Sequence, residues 1–124
     1  MTDWKIDQAT RITAAQEVHV ATRRPDGTLR RPRTIWIVRD GERIFIRSTN
    51  GRGADWFRAA IATGAGQLIA GGETHDVAFT EVTDSDDLAA VDAGYRAKYQ
   101  QYASIVDHLV EDGPRSATLL VTPA

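Results

Sequence analysis

The sequence predicts a mainly β fold: a six-stranded antiparallel barrel with two or three helices. Three observations predict it. Short β-branched or alternating runs recur at residues 17–23, 34–38, 43–48, 66–70, 76–82 and 116–121. Turn signals lie between strands: Pro25-Asp26-Gly27, Asp40-Gly41 and Gly71-Gly72. The strongest helical period, over residues 86–111, comes shortly before the last strand, so hairpins can join the strands while helices close the barrel's ends or side.

The elements follow in order. Residues 5–15 read as a short helix with Ile6, Ala9 and Ile12 or Thr13 on one face. In the strand at 17–23, Val18, Val20 and Thr22 alternate with His19 and Ala21. Residues 34–38 are apolar on both faces, as in a central strand covered twice. Asp40-Gly41 turns the chain into the strand at 43–48. A glycine loop leads to a helix over residues 54–63, with Trp56, Ala60 and Ile61 expected inward, Asp55 at its start and Gly64 ending it. In the long helix, Leu88, Val91, Tyr95, Tyr99, Tyr102, Ile105 or Val106, and Leu109 step by threes and fours. Asp84, Ser85, Asp86 and Asp87 suit its N-terminus, and Gly113-Pro114 is expected to stop it.

The bulk numbers bound the chemistry. The 124 residues are the length of one domain, read as 1–124, and 42% of them are hydrophobic, an ordinary globular share. No apolar run approaches the ~20 residues of a membrane span, and the N-terminus lacks a signal-peptide pattern, so a cytoplasmic location and no membrane partner are expected. There is no cysteine, which excludes disulfides and thiolate metal sites. His19, His75 and His108 are scattered without metal-ligand spacing, so no metal is expected.

Net charge is −2 but uneven: residues 23–58 carry ten arginines against four acids, and the remainder carries five cations against thirteen acids. A basic segment within an acidic chain points to a local anion site and away from nucleic acid. Inside that segment, Ser48-Thr49-Asn50-Gly51-Arg52-Gly53 offers hydroxyls, two glycines and a guanidinium immediately before a helix. Backbone N–H groups at a helix start, with an arginine fork, can hold a phosphate.

Several of these residues together resemble the FMN-binding split-barrel superfamily. They are Thr22, Arg24, Gly27, Pro32, Arg33 and Thr34, then Ser48, Asn50, Gly51 and Gly53, then Trp56 and Phe57. The superfamily includes pyridoxamine-phosphate oxidases and deazaflavin-dependent nitroreductases; the second group, and a small uncharacterised bacterial branch, are the nearer likeness. It covers residues 18–82 well and the last third only by layout. Arg58-Ala59 stands where the family has asparagine-leucine, and Arg52 where a lysine is common. The resemblance implies a split barrel, an FMN or deazaflavin cofactor, and a homodimer whose second chain completes the pocket.

The cofactor-binding candidates are Arg33, Thr34, Ser48, Thr49, Asn50, Gly51, Arg52, Gly53, Trp56 and Arg58, with Arg52 gripping the phosphate. Tyr95, Tyr99 and Tyr102 read first as helix core; a tyrosine there could also give a proton to a reduced product. The expected function is an oxidoreductase passing a hydride to or from a small organic substrate. The alternative is a non-catalytic module holding a flavin, a haem or another small molecule.

Overall fold

The structure, a computed structural model, describes residues 3–124. Its strands are β1 (Val18–Thr22), β2 (Arg33–Ile35), β3 (Ile37–Asp40), β4 (Arg43–Arg47), β5 (Ala65–Ala70), β6 (Glu73–Glu81) and β7 (Thr118–Pro123). Its helices are α1 (Ile6–Thr13), α2 (Asp55–Thr63), α3 (Ser85–Lys98), α4 (Ala103–Leu109) and α5 (Asp112–Arg115). One antiparallel sheet runs β2-β1-β5-β6-β7-β4-β3. Its two edge strands are consecutive in the chain and separated only by Trp36, so the sheet curls into a nearly closed, split barrel. The expected strand at 34–38 is thus present but broken at Trp36, which raises the count from six to seven.

Alternation fills the barrel. Val18 and Val20, Ile35 and Ile37, Ile44 and Ile46, Val77 and Phe79, Leu119 and Val121 form one buried cluster, joined by Ala9 and Ile12 of α1 and Phe57 and Ala60 of α2. A second cluster lies on the outer side of β3 and β4, where Val38 and Phe45 meet Val91, Tyr95, Tyr99, Val106 and Leu109. The apolar residues at 34–38 are therefore covered on two sides, Ile35 and Ile37 by the barrel core and Val38 by the outer helices. Arg43 fastens that helical layer to β4 through a forked pair with Asp87, at 2.9 and 2.7 Å.

Other expectations change. The helix at 86–111 breaks after Lys98 into a 3-10 turn at Gln100–Tyr102 and then α4, because the buried Tyr99 hydroxyl is pinned to Gln16 and Ile37. Gly113-Pro114 lies within the short α5, since proline is tolerated in a first helical turn where its missing N–H has no partner to lose. Ile6 is 51% exposed, and α1 buries Ala9, Ile12 and Thr13 instead. Helix α2 starts at Asp55, which phases Phe57, Ala59 and Ala60 inward, leaves Trp56 half-buried and puts Ile61 outside. Ala54 is its N-cap residue, so Asp55 charges the first turn rather than capping it. Gly64 ends α2 as expected, at φ 66° with its N–H on the Ala60 carbonyl. Among the described residues no helix is long and apolar enough to cross a membrane.

Candidate functional site

The hairpin between β1 and β2 places a group of arginines opposite the start of α2. Its turn is built locally. Asp26 accepts from the hydroxyl and the N–H of Thr28, at 2.7 and 3.0 Å, and that hydroxyl holds its carboxyl below the usual range. Arg23 and Arg24 bend back onto the turn: Arg23 donates to the Gly27 carbonyl at 2.8 Å and Arg24 to the Leu29 carbonyl at 2.9 Å. Past the turn, the Arg30 N–H returns to the Thr22 carbonyl at 2.8 Å.

Beyond that point the pattern changes. The guanidinium groups of Arg30, Arg31 and Arg33 have no acceptor among the described residues. They line a cleft of about 280 Å³ with Thr22, Arg24, Asp55 and Trp56. A second lobe, of about 340 Å³, shares Arg30 and Asp55 and adds Arg58, also without a side-chain partner among the described residues. Asp55 is the one acid on either wall. No side chain caps α2, so its first-turn N–H groups add their partial positive charge beside the arginines. Thr22 lies in the floor, 1% exposed, with no partner for its hydroxyl among the described residues. This arrangement suits an anion held by several forked donors beside an indole ring.

The structure divides the expected cofactor set. Arg33 and Trp56 meet in the first lobe and Arg58 stands in the second. Thr34 and Thr49 line a different, smaller cavity. Ser48 is buried, Asn50 is exposed, and the Gly51 N–H closes a turn onto the Ser48 carbonyl at 3.0 Å. Arg52 pairs with Glu81, donates to the Ser116 carbonyl at 2.7 Å, and lies over the Phe57 ring at 5.3 Å. Its guanidinium thus fastens the Gly51–Gly53 turn to the barrel. Tyr95 and Tyr99 are fully buried, and burial raises both phenol pKa values, Tyr99 to about 12. Tyr102 is 37% exposed and accepts from the Gln16 amide at 3.0 Å. Thr22, Arg30, Arg31 and Asp55 were not among the cofactor-binding candidates, although Thr22 was one of the residues carrying the family resemblance and Asp55 was expected at the helix start; the density of arginine at 23–33 was the available signal.

Residues 8–121 match a family described as an uncharacterized protein conserved in bacteria (DUF2255), and the chain belongs to that family. No curated protein matches the sequence. Solved structures share the fold, that of the pyridoxamine-phosphate-oxidase-like split barrels. A putative pyridoxamine 5'-phosphate oxidase from Listeria innocua superposes with a TM-score of 0.62 at 11% identity, covering 95% of this chain and 90% of that one. An F420-H2-dependent reductase gives 0.63 at 12%, covering 86% and 93%. The haem storage protein HutZ from Vibrio cholerae gives 0.63 at 14%, covering 94% and 86%. At these identities the likeness is one of fold.

Proposed function

We propose that this split barrel binds a phosphate-bearing flavin or deazaflavin and acts as an oxidoreductase on a small organic substrate. The observation that carries the reading is the group of unpartnered guanidiniums, from Arg30, Arg31 and Arg33, facing the uncapped start of α2. Forked donors and a helix N-terminus fit a phosphate. Trp56 offers a flat apolar wall to a ring system. When bound, the cofactor supplies hydride transfer; the chain's residues hold its anionic end and orient it. Relatives of this fold whose names carry oxidase or F420-dependent reductase activity support the reading.

A haem module is the second reading, favoured by the HutZ likeness, because propionates also suit arginines. No histidine lines either lobe among the described residues, which weighs toward the flavin. A homodimer is part of the proposal: Arg33 and Arg58 lie exposed, where a second copy could cover the cleft. Light scattering that shows only a monomer at micromolar concentration would remove that part.

Fluorescence titration with FMN, riboflavin, the deazaflavin coenzyme and hemin tests the function. FMN or the deazaflavin should bind roughly ten- to a hundredfold more tightly than riboflavin, the worth of one or two charge-assisted contacts. Equal binding of riboflavin and FMN, or binding of hemin alone, would reject the proposal.

A further inference from the structure

The arginine cleft has two lobes joined at Arg30 and Asp55. In the first, of about 280 Å³, Arg31 and Arg33 stand beside Trp56 at the start of α2. The second, of about 340 Å³, carries Arg58. Asp55, Arg58, Ala59 and Ala62 recur at helical spacing on one side of α2, so this lobe runs roughly 10 Å along the helix axis from its first turn. The alanines on that wall keep it open. A group seated at the helix start therefore leaves a basic channel beside it.

Commitment separates these arginines from others in the chain. Arg47, completely buried, donates to the Thr118 hydroxyl at 2.8 Å and to Asp92 at 2.6 Å, and Arg115 donates to the other Asp92 oxygen at 3.0 Å. Arg43 is taken by Asp87. Arg30, Arg31, Arg33 and Arg58 are exposed, so a ligand can reach them, and none has a side-chain acceptor among the described residues. Set against Asp55, these four guanidiniums leave three positive charges. One phosphate monoester brings about two negative charges at pH 7. Seated in the first lobe, it leaves Arg58 unanswered across the junction.

We infer that the cleft takes a diphosphate: one phosphate beside Arg31 and Arg33, the next beside Arg58, with Arg30 between them. The planar Arg30 fork presents donors along two edges and can bond to both phosphates at once. Arg58 follows Asp55 by three residues, about 4.5 Å along the axis, the scale of two linked phosphates. The diphosphate site is the proposed phosphate site extended by one lobe, so it rests on that reading and narrows the cofactor to a diphosphate-bearing one. Trp56 and the far end of the second lobe are left for the groups on either side.

The test is an NMR titration of the full chain with orthophosphate and with pyrophosphate at constant ionic strength, read on the arginine Nε–H signals. Pyrophosphate should shift the Arg33 and Arg58 signals together and bind about tenfold more tightly than orthophosphate. Arg58→Ala, an exposed change to a good helix former, should remove most of that advantage. Arg39→Ala, exposed and outside the cleft, should keep it, which separates the site from general charge attraction. FAD should bind more tightly than FMN. Orthophosphate binding with no gain for pyrophosphate, an advantage that survives Arg58→Ala, one that Arg39→Ala lowers as much, or FMN binding as tightly as FAD would overturn the diphosphate assignment and leave the phosphate site standing. Saturable binding of neither inorganic anion would remove the phosphate site itself, and this assignment with it.

Discussion

The rings of Trp36 and Tyr99 lie face to face, centroids 4.0 Å apart and planes within 3° of parallel. Each residue also marks an interruption: Trp36 separates β2 from β3, and Tyr99 ends α3. The Tyr99 hydroxyl donates to the Gln16 carbonyl at 2.6 Å and accepts from the Ile37 N–H at 3.1 Å. One stacked pair therefore holds the break in the strand against the break in the helix. Tyr99→Phe keeps the stack and orphans the buried Ile37 N–H and the part-buried Gln16 carbonyl. It should cost about 1–3 kcal/mol in urea unfolding, and Tyr99→Leu should cost more by also losing the stack. A Tyr99→Phe variant as stable as wild type would show that the hydroxyl does not pin the break.

Lys98 joins three elements without an acidic partner. Its ammonium donates to the carbonyls of Thr13, Ala15 and Ile37 at 2.7, 2.8 and 2.7 Å. Lys98→Met keeps the stem's packing and leaves those carbonyls bare, a loss of about 1.5–3 kcal/mol measured by chemical denaturation at neutral pH.

The pH dependence of that loss has a sign. Burial pushes Lys98 down to about 8 from 10.5, so between these values the unfolded chain binds the proton that the folded chain has released. Its contribution to stability therefore rises with pH across that window. Tyr99 acts oppositely: pushed up to about 12 from 10, its contribution is present below pH 10 and fades toward pH 12. Between about pH 7 and pH 9.5, the stability gap between wild type and Lys98→Met should widen by roughly 1 kcal/mol, solvent screening of the half-buried ammonium halving the ~2 kcal/mol of full linkage. A constant gap would mean that the three carbonyls hold the ammonium charged throughout.

Gly66 has no room for a side chain. A Cβ there would lie 2.4 Å from the Ala21 carbonyl oxygen and 2.8 Å from the Phe79 ring. The carbonyl belongs to the β1 backbone beside it, so relief requires strands to part. Gly66→Ala should lose about 1–3 kcal/mol or more, seen as a lowered Tm with the sheet's circular dichroism retained.

The arginines separate by partner. Arg52 is half-exposed and bound to Glu81 and the Ser116 carbonyl, so Arg52→Ala should lower stability by only about 0.5–1 kcal/mol. It should leave phosphate-bearing ligands almost unaffected. Arg33→Ala removes an uncommitted guanidinium and should weaken them roughly tenfold with little change in Tm. The reverse order in a ligand titration would return the phosphate to the Gly51–Gly53 turn.

Much of the fold was legible because its signals are local. Period-two runs give the strands, Asp40-Gly41 and Gly71-Gly72 give hairpins, and Gly64 gives the end of α2 through a backbone angle that other residues rarely adopt. The split-barrel likeness was carried by such residues around the central turns. Tertiary structure decided what depends on partners far along the chain. Tyr99 interrupts a helix of otherwise sound period because its hydroxyl bonds to Gln16 and Ile37, which the helical pattern cannot contain. The same holds for charge. Arg30, Arg33, Arg47 and Arg52 are alike in sequence, yet Glu81 and Ser116 take Arg52, Asp92 and Thr118 take most of Arg47, and none of the described residues takes Arg30 or Arg33. The sequence shows a guanidinium at each place; whether it is committed or free follows from which distant acceptor the folded chain brings within hydrogen-bond reach.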